Sequence, residues 1–182
     1  MGLRSSDAVF GVLNKTDNTF YYVNPANKTI KWEEQLESGI ATSIASKKNS
    51  SDLGDMVEGK VGDFVRSKKE IEGFNQLYKR PDHSTAAELD VITADEIIEC
   101  KRNISLAKSK FTLDGQATKI SNEMDKDFVN PFNKKKILYV DEPLPRQSNG
   151  KLFPSDQQYI DALEAKGIYF VNSLEELQNI LK

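Results

Sequence analysis

The sequence predicts an α/β protein, with strands and helices alternating from about Leu53 onward behind a small β-rich module that ends in a helix. Three observations predict this. Short aromatic and β-branched runs separated by Asn, Asp and Pro fill the first third, a strongly alternating hairpin pattern occupies the middle, and helix-capping patterns frame apolar runs in the last third. The chain accordingly divides into a module over 1–50 and a core over 51–182.

In the module, residues 8–13, 20–23 and 29–32 read as strands of a meander, with turns at 14–18 and 24–27. From Glu33 to about Ser46 the recurrence of Leu36, Ile40 and Ile44 predicts a helix, and residues 47–52 read as a polar linker. In the core, Val57, Val61, Phe64 and Val65 line one stripe of a helix over 54–65, with Asp52 as its cap. Residues 87–101, AELDVITADEIIECK, read as a hairpin turning at Ala94-Asp95-Glu96. Leu113, Ala117, Ile120, Met124 and Phe128 then recur at helical spacing until Pro131. Residues 136–140 form an apolar strand, followed by a loop carrying Pro143 and Pro145. Ser155 with Gln158 resembles a capping box opening a helix that Gly167 closes, 168–171 is another strand, and Ser173 with Glu176 repeats the box for the last helix.

Composition narrows the chemistry. A chain of 182 residues with one His and one Cys has no intramolecular disulfide, no Cys/His zinc cluster and no pair of histidines acting as acid and base. Carboxylates and lysines are what is left for catalysis. The net charge of −3 argues weakly against a general polyanion binder, although a local basic groove is compatible with it. No apolar run approaches the roughly 20 residues of a membrane helix, and residues 1–7 lack the apolar core of a signal peptide. Membrane insertion and classical secretion of this stretch are not expected.

The hairpin concentrates the reactive residues. A turn centred on Ala94-Asp95 sets Val91 against Ile98 and Asp90 directly opposite Glu99. Like charges so placed destabilise a sheet, and a divalent cation between the two carboxylates is the common compensation. Strand alternation puts Glu99 and Lys101 on one face and Ile98 and Cys100 on the other. A three-residue loop would instead set Asp90 opposite Cys100 and break the constellation. With the shorter loop, two carboxylates and an ammonium converge where a metal-bound water can meet a phosphodiester, and Lys101 can orient or deprotonate that water or stabilise the transition-state charge.

Asp90 on one strand followed by Glu99-Cys100-Lys101 on the next resembles the PD-(D/E)xK nuclease superfamily. The likeness covers roughly residues 53–140 and includes the helix-hairpin-helix-strand order. It implies a restriction-endonuclease-like core, a central mixed sheet flanked by helices, and a metal-dependent endonuclease using Mg²⁺ or Mn²⁺, with Zn²⁺ as an alternative. Glu58 stands where many members carry a further metal-binding acid on the preceding helix, and Gln116 where many carry a Gln after the ExK strand. The metal set implied is Glu58, Asp90 and Glu99; Lys101 and Gln116 complete the catalytic set. The family's Pro-Asp is Leu89-Asp90 here. A literal Pro81-Asp82 lies in the polar, turn-like segment 80–85 and is rejected because a metal ligand needs a rigid strand. Glu88, two residues from Asp90 on the same face, is the rival that replaces or supplements it.

A small nuclease core behind a short module also resembles the C-terminal toxin domains of bacterial contact-dependent inhibition and other polymorphic toxin systems. That likeness implies delivery from a larger secreted toxin into a target cell's cytoplasm, a cognate immunity protein, and a nucleic-acid substrate, DNA ahead of tRNA. Restriction or repair in the cell of origin, and a non-catalytic binding module, are the competing functions. For each residue there is also a structural reading: an edge hairpin whose Lys101 merely pairs with Glu99, Glu58 as a solvated helix residue, His83 in an exposed loop, and Cys100 in the core. The aromatic cluster Phe20-Tyr21-Tyr22 with Trp32 reads as module packing before a base-stacking platform. Lys134-Lys135-Lys136, Lys101-Arg102, Lys108, Lys110 and Lys119 are candidate phosphate contacts or solvated lysines.

Overall fold

The computed structural model describes residues 10–14, 19–23, 29–33, 35, 37–79, 85–121, 130 and 133–181. The strands and helices alternate as the sequence predicts. Strands β1 (Phe10–Asn14), β2 (Thr19–Val23) and β3 (Thr29–Glu33) form the antiparallel meander. Helices α1 (Glu37–Lys48) and α2 (Leu53–Arg66) follow, then β4 (Gly73–Lys79), β5 (Thr85–Ile92) and β6 (Glu96–Lys101). The chain continues through α3 (Ile104–Lys110), α4 (Gln116–Ser121), β7 (Lys135–Val140), α5 (Pro154–Ala165), β8 (Ile168–Val171) and α6 (Leu174–Ile180).

All eight strands lie in one mixed sheet in sequence order, antiparallel from β1 to β6 and parallel across β6, β7 and β8. The parallel pairs need crossovers, which α3, α4 and α5 supply. Helices cover both faces. Ile104, Ala107, Phe111, Ala117, Ile120, Tyr159 and Leu163 pack on one face with Ile97, Leu138 and Val140. Ile40, Ile44, Val57, Val61, Val65 and Leu177 pack on the other with Ile98, Cys100, Ile137 and Tyr139. Burial on both faces explains why β7 is a continuous apolar run. The residues of 1–50 share in this arrangement, since β3 pairs with β4 at Lys31 and Lys79, and Ile40 and Ile44 of α1 lie in the second core.

Several elements differ from the sequence-based expectation. The polar linker begins later than expected, because α1 runs through Lys48 and carries Lys47 into its last turn. Strand β4 has no counterpart in the sequence reading, and neither does α3, which Asn103 caps by accepting the Leu106 N–H. Ser155 opens no capping box: α5 starts at Pro154, whose missing N–H and fixed φ suit the first helical position. The last helix is capped by Ser173 accepting the Glu176 N–H, as expected, but the Glu176 carboxylate returns to the Asn172 N–H instead of that of Ser173. Gly167 closes α5 at φ +72°, as expected. Of the long helix expected from Leu113, α4 accounts for Gln116–Ser121; Met124, Phe128 and Pro131 lie outside the described residues. So do Pro81, Asp82, His83 and the side chains of Phe20, Tyr21, Tyr22 and Trp32.

Candidate active site

The hairpin register is the one the sequence favours. Val91 pairs with Ile98 and Ile92 with Ile97, across a two-residue loop closed by Thr93 N–H donating to Glu96 O at 2.9 Å. Lys69 fastens the turn from α2's trailing loop, its ammonium 2.7 Å from the fully buried Glu96 carboxylate. The hairpin is not at an edge: β5 lies between β4 and β6, and β6 between β5 and β7.

Beyond Val91 and Ile98 the paired residues stop, so Asp90 does not stand in the ladder opposite Glu99 as the sequence suggests. Its carboxylate enters the seam between the strands and accepts the Cys100 N–H at 2.7 Å. The cause lies in the neighbouring strand. Phe74 pairs with Val91 and Gln76 with Leu89, but Asn75, between them, has φ +48° and does not pair with Asp90. At this point both strands change face: Leu89 packs in the first core and Val91 in the second, and Tyr78 and Phe74 divide the same way. Asn is among the few residues that adopt this left-handed backbone readily.

The Asp90 and Glu99 side chains are only 7% and 8% exposed, and Lys101 is 16% exposed. Lys101 Nζ lies 2.5 Å from Glu99 Oε1 and 3.7 Å from Asp90 Oδ2, and donates to Cys100 O at 2.9 Å. The second Glu99 oxygen, Oε2, is buried without a hydrogen-bond partner. Burial, then the Glu99 charge, pushes the Asp90 carboxyl well above its ordinary range, despite Lys101 and the Cys100 N–H. Burial likewise raises Glu99, against the pull of Lys101. Burial would lower Lys101, but the two carboxylates outweigh it and hold the ammonium above the ordinary lysine range. Two acids with one base thus form an under-neutralised buried cluster, which is costly unless another cation completes it. Cys100 faces the second core, and burial raises its thiol.

Glu58 comes from α2, in the helix layer on the second face, whereas Glu99 and Lys101 follow Ile97 onto the first by strand alternation. Its charge still raises Asp90 and Glu99. Its carboxylate is engaged elsewhere: Oε2 accepts from Lys47 Nζ, and from Asn75 Nδ2 at 2.6 Å. Lys47 also meets Asp55 at 2.7 Å. Gly59 permits this, because a Cβ there would collide with the Lys48 nitrogen and lie 2.8 Å from the Lys47 carbonyl carbon. Among the described residues, no three His, Cys, Asp or Glu side chains cluster so that they could hold a metal ion. Asp90 and Glu99 stand as a pair, and Glu58 acts on them through its charge from its place on Lys47 and Asn75.

Gln116 does not reach the acids; its Nε2 donates to Glu88 O at 3.0 Å, tying α4 to the strand two residues before Asp90. Glu88 itself is exposed. Several candidate phosphate contacts have acidic partners within the chain: Arg102 with Glu142, Lys108 with Asp156, and Lys134 with Glu72. Asn75 and Lys47 are not among the residues that pattern alone singles out; the available signal was the polar pair Asn75-Gln76 inside an otherwise apolar strand, with Gln76 3% exposed.

Comparison of the chain with protein-family models and with curated proteins finds no match to either.

Proposed function

We propose that the chain is a metal-dependent endonuclease of the PD-(D/E)xK, restriction-endonuclease-like kind, hydrolysing phosphodiester bonds in DNA ahead of tRNA. The observation that carries this reading is the buried Asp90–Glu99–Lys101 cluster in which Glu99 Oε2 has no partner. Support also comes from the order of elements around it: helix α2, strands β4, β5 and β6, helices α3 and α4, then strand β7.

The residues present fit a hard divalent cation. Mg²⁺ and Mn²⁺ favour carboxylate oxygen, and Mg²⁺ is commonly held by one or two carboxylates with substrate phosphates and water completing the shell. Asp90 and Glu99 would hold it, with Glu58 at the margin of the set; Zn²⁺ is the alternative, though the donors offer it neither nitrogen nor sulfur. When bound, the cation supplies charge neutralisation at the phosphate and an acidified water.

The chain's own groups do the remaining work. Lys101, 2.5 Å from Glu99 Oε1, would orient or deprotonate the attacking water or donate to a non-bridging phosphate oxygen. Cys100 N–H fixes Asp90 in the seam, so the acid is positioned before substrate arrives. Gln116, anchored on Glu88 O, steadies the rim on the substrate side.

Within this reading the chain is a toxin domain of interbacterial competition, delivered from a larger secreted protein into a target cell's cytoplasm and neutralised in the producer by an immunity protein. The test of the activity is incubation of the purified chain with supercoiled plasmid and total tRNA, in Mg²⁺, Mn²⁺ or EDTA. Plasmid cleavage abolished by EDTA is expected; cleavage of neither substrate in any divalent metal overturns the proposal. Healthy growth of bacteria expressing the chain without a protective partner overturns the toxin role.

A further inference from the structure

Asn75 lies on the strand next to the site. It occupies the β4 position facing Asp90, bracketed by the pairs Phe74–Val91 and Gln76–Leu89, and its φ of +48° takes it out of the ladder. Its Nδ2 donates to Glu58 Oε2 at 2.6 Å. That bond fixes the orientation of the amide, because the flipped rotamer would turn a carbonyl oxygen toward a carboxylate. The other end, Oδ1, is therefore an acceptor, and it is buried without a hydrogen-bond partner. A buried amide oxygen left in this way is costly. Glu99 Oε2, on a side chain 8% exposed, is likewise buried without a partner. Unpartnered buried oxygens on Asn75 and Glu99, with the Asp90 carboxylate buried as well, share one remedy, a cation that accepts oxygen donors.

Resting on the cation reading above, we infer that Asn75 is the third protein donor of the metal site, its Oδ1 joining Asp90 and Glu99, and that Glu58 is a positioning residue acting through the Asn75 amide. Amide oxygens are ordinary ligands of hard divalent ions. This assignment accounts for three features at once. Glu58 can remain bound to Lys47, since it is not required to ligate. The left-handed backbone at residue 75 has a purpose, because it carries the side chain out of ladder alternation. The change of face at Asn75 and Asp90 brings donors from β4, β5 and β6 to one seam.

The test is Mn²⁺ binding measured by titration calorimetry on the full chain, which needs no substrate and no turnover. Asn75→Gly keeps the positive φ without strain and deletes only the side chain. Asn75→Asp keeps an oxygen donor but cannot donate to Glu58. The unaltered chain is expected to bind Mn²⁺, Asn75→Gly to bind at least about 10-fold more weakly, and Asn75→Asp to bind within about 3-fold of the unaltered chain or tighter. Unchanged binding by Asn75→Gly overturns the inference and leaves the cation site of Asp90 and Glu99 standing. Equal weakening in Asn75→Gly and Asn75→Asp also overturns it, because it reduces Asn75 to a holder of Glu58. If the unaltered chain binds no Mn²⁺, the cation reading falls and this assignment falls with it.

Discussion

The Cys100 N–H donates to the Asp90 carboxylate at 2.7 Å, so a side chain occupies the place where a sheet ladder would have put a backbone carbonyl. This bond holds an acid inside the seam between β5 and β6 and keeps a buried N–H satisfied. Burial of that acid, which this bond only partly offsets, sets the protonation behaviour of the cluster, from which the first expectation follows.

Burial, then the charge of Glu99, raises Asp90, and burial raises Glu99. The folded protein therefore binds more protons than the unfolded chain between the ordinary carboxylate range, near about 4, and the raised folded values. Stability falls as pH rises through that window, and the penalty is complete above it. Lys101 acts with the opposite sign: its stabilisation is fully present below the unfolded lysine value, about 10.4, and is lost only above the higher folded one. Without divalent ions the protein is expected to melt at a lower temperature at neutral pH than in mild acid. Asp90→Asn is expected to flatten that slope and to melt higher than the unaltered chain at neutral pH. Thermal denaturation in EDTA across mildly acidic to neutral pH checks both.

Removing the base has the reverse effect. Lys101→Met leaves Asp90 and Glu99 buried with no counter-ion and is expected to cost about 3–5 kcal/mol at neutral pH. Part of the loss is recovered on acidification, because protonating the acids removes their need for a partner. Urea unfolding at the two pH values measures it; a loss that does not change with pH contradicts the electrostatic origin.

Gly59 lets the end of α1 lie against α2, which places Lys47 on Glu58. Gly59→Ala forces Lys47 and Lys48 backbone away and is expected to destabilise the fold by about 1–3 kcal/mol, despite alanine's better helix propensity. Denaturant unfolding reads the sign directly.

The Cys100 thiol is buried and raised above its ordinary range. It is expected to resist aromatic disulfide reagents in the native protein and to react once denaturant is added. Rapid labelling under native conditions would place the residue on the open face of the strand instead.

How much of this was legible in the sequence depends on whether local pattern or distant contact decided each element. The hairpin was legible because its alternation and two-residue turn are local, and Val91 and Ile98 do pack in one core. The cap at Asp52 and the stop at Gly167 were legible for the same reason. Strand β4 was not, since Asn75 and Gln76 interrupt its apolar pattern, and the Asn75 amide is held by Glu58 from a separate element. Helix α3 is short and rests on the burial of Ile104 and Ala107 more than on periodicity. At the site, Glu99 and Lys101 share a face as strand alternation predicts and Cys100 marks the opposite one, whereas Asp90 meets them through the seam and not from the ladder position opposite Glu99. The engagement of Glu58 with Lys47 and Asn75 depended on α1 and β4, whose relation to α2 no local signal encodes.

The most direct test of a cation-dependent nuclease centred on Asp90 and Glu99 is the rate of supercoiled-plasmid nicking by the unaltered chain and by Asp90→Asn. The variant retains an oxygen to accept the Cys100 N–H, so the fold is kept while the ligand charge is lost. The expected result is Mg²⁺- or Mn²⁺-dependent nicking by the unaltered chain, stopped by EDTA and slower by at least about 100-fold in the variant. Nicking at equal rates by the two proteins, or nicking that survives EDTA, would contradict the account.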